Sequence, residues 1–151
     1  MKIRNEMRLD FSACPENEAF ARTVIAAFML PLNPTMEDMG DVKTSVSEAV
    51  TNAIVHGYRG KGGTVRMRAD IREDGELTVD VTDNGCGIEN VQQARQPFFT
   101  TLAEEERSGM GFTVMESFMD HVEVASEKGV GTTVRMRKKI LPEAMLSAKQ
   151  A

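Results

Sequence analysis

Residues 46–58, VSEAVTNAIVHGY, complete the strongest helical pattern in the chain and carry its most informative polar side chains. Thr35 is a favourable residue to cap the start of this helix, and Gly57 is a favourable residue to end it. Between them, apolar residues recur at spacings of three and four: Met39, Val42, Val46, Val50 and Ala53. This spacing predicts one long amphipathic helix, whose apolar stripe faces a sheet.

A second, polar stripe runs along the same helix. Glu48, Asn52 and His56 are spaced by four residues, so each lies about 40° round the helix from the previous one. The stripe is beside the apolar one, which places a carboxylate and a carboxamide at the edge of the surface that faces the sheet. Taken alone, Glu48 and Asn52 are also typical of a solvent-exposed helix face. A role in capping the end of the helix also explains His56.

The segments around this helix predict an α/β fold. Alternating apolar residues indicate strands near residues 7–11, 65–71, 77–81, 122–124 and 132–136, with a hairpin turn at residues 73–75. Pro15 opens an earlier helix, in which Phe20, Val24, Ala27 and Phe28 form one stripe and Arg22 lies off it. Another helix is expected near residues 109–119. The sum is a two-layer α/β sandwich, and we expect its sheet to be mixed.

Three glycine-rich segments follow predicted strands or open predicted elements. Asp83 leads the sequence DNGCGI, where a carboxylate at a strand end is followed by glycines that let a flat ligand approach. Residues 107–112, RSGMGF, open a helix whose free N–H groups attract phosphate. Residues 131–133, GTT, begin the last strand. Taken alone, the first segment is also typical of a turn, the second of a helix start without a ligand, and the third of a hairpin. Residues 96–106 suit either a mobile lid or a surface loop.

Composition limits the protein classes that fit. A chain of 151 residues suits one domain, 1–151, with a loose tail after about residue 141. Its net charge of −5 disfavours direct binding of nucleic acid. Cys14 and Cys86 have no Cys/His neighbours that suggest zinc, and they favour a reduced compartment. The longest apolar run is far too short for a membrane span and no secretory leader is recognisable, so we expect a cytoplasmic protein without membrane contact.

Together the motifs form an ordered series: Glu-x-x-x-Asn on a helix, Asp-x-Gly-x-Gly after a strand, Gly-x-Gly at a helix start and Gly-Thr-Thr on a strand. This series resembles the ATPase superfamily shared by gyrase B, the ninety-kilodalton heat-shock chaperones, histidine kinases and mismatch-repair ATPases. Within it, the chain resembles the anti-sigma factor kinases of spore-forming bacteria at residues 5–7, 11–13, 16–18, 20–22, 46–58, 93–97 and 106–112. The resemblance implies the histidine-kinase-like ATPase (Bergerat) fold.

The resemblance also implies ATP or ADP as the ligand, with Mg²⁺. Glu48 then corresponds to the general base, Asn52 to the metal-coordinating residue and Asp83 to the carboxylate that recognises the adenine amino group. Arg107 corresponds to a catalytic residue near the γ-phosphate. The remaining nucleotide-binding positions that it implies are Gly85, Gly87, Thr100, Ser108, Gly109, Met110, Gly111, Phe112 and Thr133. Many relatives have lysine where this chain has Leu102.

The implied function is that of an anti-sigma factor. It would bind a sporulation sigma factor and phosphorylate a serine of an anti-anti-sigma protein, as a homodimer, with Arg22 contacting protein partners. The alternative is a nucleotide-gated sigma-binding module without kinase activity. A histidine kinase is disfavoured because neither His56 nor His121 lies on an additional dimerisation hairpin, and a motor would need further domains.

Overall fold

A five-stranded sheet forms one layer of the molecule. The computed structural model describes residues 2–96 and 111–142. The strands, in chain order, are β1 Ile3–Ser12, β2 Thr64–Arg72, β3 Glu76–Asp83, β4 His121–Glu127 and β5 Gly131–Lys139. Their order across the sheet is β1-β2-β3-β5-β4. Helices cover one face, so the predicted two-layer α/β fold class is confirmed.

The expectation of a mixed sheet was wrong, because every pairing among these five strands is antiparallel. The chain does cross over between β3 and β4, and β4 runs parallel to β3. However, the hairpin that follows places β5 between them, with Val81 opposite Val134 and Val124 opposite the same Val134. The two parallel strands therefore never touch.

The helices of the second layer are α1 Asn17–Met29, α2 Met36–Thr51, the short α3 Val91–Ala94 and α4 Gly111–Phe118. As predicted, Thr35 caps α2, and its hydroxyl accepts a hydrogen bond from the backbone N–H of Asp38 at 3.0 Å. None of the helices in the described ranges combines the length and apolar character needed to cross a membrane.

The predicted apolar stripe of α1 was wrong by one position. The fully buried residues are Ala21, Ile25 and Met29, whereas Phe20 is 47% exposed. Phe20 instead packs edge-on against Phe11, with 6.5 Å between ring centroids. Because the small Ala21 faces inward, the helix lies close to its neighbours and the bulkier rings are displaced to its flank.

The long helix does not stay α-helical to its end. It continues from α2 as a π-helical turn, Asn52–Gly57. The backbone N–H of Tyr58 donates to the carbonyl of Ala53 at 3.0 Å, a bond that spans five residues. Turns of this type widen the helix locally and are common at functional sites, and this one carries the residues that face the third strand.

Methionine is an unusually large part of the core. Among the residues that the structure describes, five methionines are at most 5% exposed: Met29, Met67, Met115, Met119 and Met136. They lie between the sheet and the helices, where an unbranched side chain fits irregular gaps. In contrast, Met36 at the start of α2 is 94% exposed.

Candidate nucleotide-binding site

A cavity of about 820 Å³ lies between the π-helical turn, the middle of the sheet and α4. Its volume is within the range of roughly 300–1,000 Å³ that is typical of small-molecule sites. Asn52 and Asp83 line it from the helix and from β3, Gly87 from the segment after β3, and Phe112 from α4. The structure thus brings three of the motifs predicted from the sequence to one place.

Glu48 and Asn52 converge at the first residue of α4. A Cβ atom placed on Gly111 would lie 3.3 Å from Oε2 of Glu48 and from Nδ2 of Asn52, and 3.4 Å from Oδ1 of Asn52. Any side chain larger than hydrogen at position 111 would press on both groups. The two side-chain oxygens therefore border a helix start whose free N–H groups favour anions.

Asn52 also suits the metal that the resemblance implies. Mg²⁺ prefers oxygen ligands and usually takes only one or two of them from protein, with phosphates and water completing the set. The carboxamide oxygen of Asn52 is of the required type, and Asn52 lines the cavity. The residues present therefore fit a Mg²⁺ ion held against bound phosphates.

Asp83 is the buried carboxylate of the cavity, with only 5% of its surface exposed. Its Oδ1 accepts a hydrogen bond from the backbone N–H of Gly85 at 2.9 Å. Burial raises the pKa of Asp83 above its usual value, and the backbone N–H groups of Gly85 and Thr132 oppose this shift. A carboxylate offers about four lone-pair sites, so acceptor capacity remains on Asp83 beside the backbone donors.

The wall beside Asp83 is built by direct contact between two backbone segments. The N–H of Cys86 donates to the carbonyl of Gly57 at 2.8 Å. A Cβ on Gly85 would lie 2.0 Å from that carbonyl oxygen, and a Cβ on Gly57 would lie 2.7 Å from the carboxylate carbon of Asp83. A methyl group at position 85 would clash with backbone, so glycine is required there, and one at position 57 would displace the Asp83 carboxylate. Gly57 was predicted only as a helix end.

Gly87 joins the same wall to the turn between β4 and β5. Its φ is +73°, and a Cβ there would meet the carbonyl oxygen of Glu127 at 2.1 Å. The carbonyl of Cys86 accepts from the N–H of Gly129 at 2.7 Å. The Cys86 thiol donates to the carbonyl of His56 at 3.1 Å, which agrees with the expectation that this cysteine packs.

Thr133, which the resemblance assigns to nucleotide binding, is not among the residues that line the cavity, and its role stays a prediction. Thr133 is opposite Thr82 in the sheet, and their hydroxyl oxygens are 2.9 Å apart on the face away from the helices. Thr132 is opposite Asp83 and lines the cavity. Side chains alternate across a strand, so the choice between neighbouring threonines depends on the register with β3.

Several predicted positions lie outside the described residues: Thr100, Arg107, Ser108, Gly109 and Met110, together with the Leu102 departure and most of the predicted lid. Of the predicted phosphate loop, the structure describes Gly111, which is buried, and Phe112, which is 9% exposed.

Arg22 lies on α1, outside the cavity lining. Its side chain is 43% exposed, and its Nε lies 3.6 Å from Oε1 of Glu18. The same Glu18 oxygen accepts a hydrogen bond from the hydroxyl of Ser47, the residue before Glu48. Glu18 therefore contacts both Arg22 on α1 and Ser47 on α2, so Arg22 lies near the junction of these two helices.

Tyr58 is a site residue that sequence reasoning missed. Its hydroxyl donates to the carbonyl of Thr64 at 2.6 Å and accepts from the backbone N–H of Asn84 at 2.8 Å. It therefore ties the segment that follows Asp83 to the start of β2. An aromatic residue directly after the helix-ending glycine is the signal available in the sequence, but it does not reveal the two partners.

We expect Tyr58→Phe to weaken ADP binding by about three- to tenfold, because the N–H of Asn84 loses its acceptor and a typical hydrogen bond contributes about 1 kcal/mol. Calorimetric titration with ADP measures the effect. Thr23→Val is a matched control, since it also removes a hydroxyl that donates to a backbone carbonyl, at 2.9 Å on α1. Equal ADP affinity in the Tyr58 variant and this control would show that the Tyr58 hydroxyl does not position the segment after Asp83 for ADP binding.

Comparison with known proteins identifies relatives along nearly the whole chain. Residues 11–138 match the family described as histidine kinase-like ATPase domain. An anti-sigma F factor from Clostridium acetobutylicum is 57% identical over 137 residues, which is 91% of this chain and 95% of that protein. Another from Caldanaerobacter subterraneus subsp. tengcongensis is 55% identical over 140 residues, 93% of this chain and 97% of that protein.

Solved structures support the same fold at much lower identity. The RsbU and RsbW domains of a Mycobacterium tuberculosis protein match with a TM-score of 0.64 and 15% identity, over 90% of this chain and 32% of that one. A blue-light activated histidine kinase from Erythrobacter litoralis matches with a TM-score of 0.56 and 19% identity, over 82% of this chain and 42% of that one. The chain belongs to the anti-sigma F factor family of histidine kinase-like ATPase domains.

Proposed function

We propose that this protein is an anti-sigma factor that binds a sporulation sigma factor and uses Mg²⁺ and ATP to phosphorylate a serine of an anti-anti-sigma protein. The observation that carries the kinase assignment is the convergence of Glu48 and Asn52 at Gly111. These groups lie beside a cavity in which Asp83 supplies a buried acceptor. This arrangement supports the proposed roles of Glu48 as general base, Asn52 as metal ligand and Asp83 as the group that recognises adenine.

In the proposed reaction, the carboxylate of Glu48 takes the proton from the serine hydroxyl as its oxygen attacks the γ-phosphorus. The bond between that phosphorus and the bridging oxygen of ADP breaks, so the products are phosphoserine, ADP and a protonated Glu48. Phosphoryl transfer depends mainly on alignment and charge neutralisation. Backbone N–H groups at the start of α4, together with Arg107 from the resemblance, are suited to that task.

Asn52 would hold the Mg²⁺ ion through its carboxamide oxygen. When bound, the ion neutralises negative charge on the phosphates. Asp83 orients the nucleotide at the other end of the cavity by accepting a hydrogen bond from the adenine amino group. The glycine contacts at positions 57 and 85 keep this wall at a fixed distance from the π-helical turn.

The experiment that tests this proposal is transfer of labelled γ-phosphate from Mg²⁺ and ATP to a purified anti-anti-sigma protein, followed by mapping of the labelled residue. Phosphoserine on the partner supports the kinase. ATP binding without transfer would instead support the nucleotide-gated sigma-binding module. The proposed setting is the cytoplasm, and the proposed assembly is a homodimer.

Arg22 is the proposed contact for protein partners. Arginine is enriched among the interface residues that contribute most to binding, and this one is held at the surface by Glu18. We expect Arg22→Glu to weaken binding of the sigma factor and the anti-anti-sigma protein by at least about tenfold, as measured by surface plasmon resonance. The control is Lys61→Glu, the same change of charge sign at an exposed loop residue. Unchanged affinities for both partners would refute this contact.

A further inference from the structure

Ser126 on β4 has three hydrogen-bonding neighbours around a single hydroxyl group. Its Oγ lies 2.7 Å from the backbone nitrogen of Ile88, 3.1 Å from the carbonyl oxygen of Gly131 and 2.7 Å from Oγ1 of Thr132. Ile88 belongs to the segment after β3, whereas Gly131 and Thr132 begin β5. One small side chain therefore joins two separate segments of the chain to β4.

The three contacts together determine where the hydroxyl protons lie. An amide N–H only donates, a carbonyl oxygen only accepts, and a hydroxyl group donates one proton and accepts through two lone pairs. Ser126 therefore accepts from Ile88 and gives its single proton to Gly131. Its contact with Thr132 is then complete only if the Thr132 hydroxyl is the donor. If Ser126 gave its proton to Thr132 instead, its oxygen would face the carbonyl oxygen of Gly131 with no proton between them.

The start of β5 is held in place, which keeps the carbonyl of Gly131 beside Ser126. A Cβ on Gly131 would lie 2.1 Å from the backbone carbonyl oxygen of Asp83, so the two strands are in direct backbone contact there. The backbone N–H of Thr132 also donates to the carboxylate of Asp83. The serine proton is therefore directed at an acceptor that the sheet keeps at a fixed position.

Thr132 lines the cavity beside Asp83. These two residues are opposite each other in the pairing of β3 with β5, and Ser126 is opposite Thr132 in the pairing of β4 with β5. Directly opposite residues lie on the same face of a sheet, so the three side chains share the face that carries the cavity. Because the Thr132 proton is directed at Ser126, the Thr132 oxygen presents only lone pairs to the cavity.

We propose that Ser126 is a positioning residue for the choice of base: by accepting the Thr132 proton, it makes Thr132 and Asp83 a pair of acceptors. Such a pair fits the amino group of adenine, which has two N–H donors. It opposes the oxo group of hypoxanthine or guanine, which has only lone pairs. This role rests on the proposed nucleotide site and adds the residue that sets the polarity of its purine end.

Replacing Ser126 with alanine tests this role through two nucleotides. Without the serine oxygen, the Thr132 hydroxyl can turn its proton into the cavity and donate to an oxo group. We expect inosine diphosphate to bind the variant at least about threefold more tightly and ADP to bind it more weakly, because one hydrogen bond changes affinity by about this factor. A merely structural loss would weaken both nucleotides. Calorimetric titrations of the full chain measure both affinities, and their ratio is the adenine preference.

Three further variants separate proton placement from a loss of stability. Ser126→Thr keeps the hydroxyl and should retain the wild-type preference. Ser117→Ala removes an exposed hydroxyl that donates to a backbone carbonyl at 2.9 Å on α4, and it should leave the preference unchanged. In a Thr132→Val background no hydroxyl remains to be oriented, so adding Ser126→Ala should not change the preference further.

The outcomes distinguish this role from the nucleotide site itself. An adenine preference that Ser126→Ala leaves unchanged, including equal weakening of both nucleotides, overturns the role. Thr132→Val alone decides the same question without a change at position 126, because loss of one acceptor should lower the preference by at least about threefold; an undiminished preference also overturns the role. Wild-type protein that binds neither nucleotide would refute the proposed nucleotide site as well, whereas ADP binding with an insensitive preference would refute only the role of Ser126.

Discussion

Replacing Glu48 with glutamine should lower the rate of phosphate transfer to the anti-anti-sigma protein by about 10²- to 10⁴-fold, the range typical of losing a general base. Glutamine keeps the size and the oxygen that faces Gly111, but it does not take up the proton of the attacking serine. ADP affinity should change less than twofold, because Asp83 and the glycine-built wall lie at the other end of the cavity.

Single-turnover transfer of labelled phosphate and calorimetric titration with ADP measure these two quantities. Glu37→Gln is the matched control, since Glu37 is an exposed glutamate in the first turn of the same helix. If Glu48→Gln transferred phosphate as fast as this control, Glu48 would be a structural residue.

Replacing Asp83 with asparagine should lower ADP affinity by about ten- to a hundredfold, which corresponds to the roughly 1–3 kcal/mol cost of an unsatisfied buried group. The carboxylate has two acceptor oxygens, and Oδ1 already accepts from Gly85. An amide has only one oxygen, so its NH₂ must face either the N–H of Gly85 or the amino group of adenine. One donor is left unpaired in both orientations.

The variant should also lose its preference for adenine over hypoxanthine, which lacks the amino group. Calorimetric titrations with ADP and inosine diphosphate give this ratio directly. Asp74→Asn removes the same charge at the far end of β3, in the turn that precedes Glu76, and should leave the ratio at the wild-type value. An undiminished preference in the Asp83 variant would exclude recognition by this carboxylate.

The same Asp83→Asn substitution should raise the free energy of unfolding at pH 7, although it lowers ADP affinity. Burial raises the pKa of Asp83 in the folded protein, so its contribution to stability is fully present below the unfolded pKa and is lost as pH rises through the folded pKa. At pH 7 the asparagine variant avoids burying a charge, and its free energy of unfolding should exceed that of wild type. The difference should shrink as the pH falls towards the pKa of Asp83, and urea denaturation at several pH values measures it.

Sequence periodicity predicted α2 and its cap at Thr35 correctly, because a strong stripe and a capping residue act locally. Spacing along the helix selected Glu48 and Asn52, and the motif after a strand selected Asp83. The structure brings Asn52 and Asp83 to one cavity, with Glu48 at Gly111 beside it; their chemical roles stay predictions. The stripe of α1 was misplaced because packing against α2 favoured the small Ala21 over Phe20.

Other features depend on contacts between distant segments. The antiparallel character of the whole sheet follows from the insertion of β5 between β3 and β4, which no local pattern reveals. Which of the two neighbouring threonines lines the cavity depends on the register between β3 and β5, and it is Thr132. The π-helical turn and the two hydrogen bonds of Tyr58 arise only when β2 and the segment after Asp83 meet.

The oxidation rates of the methionines can report how often the protein transiently unfolds. Peroxide converts an accessible thioether to a polar sulfoxide, so Met36, which is 94% exposed, should react at the rate of a free amino acid. Met67, Met115 and Met136 are fully buried and should react only through molecules that have transiently unfolded. The ratio of these rates, read by mass spectrometry of peptides, would report the free energy of opening without any added label.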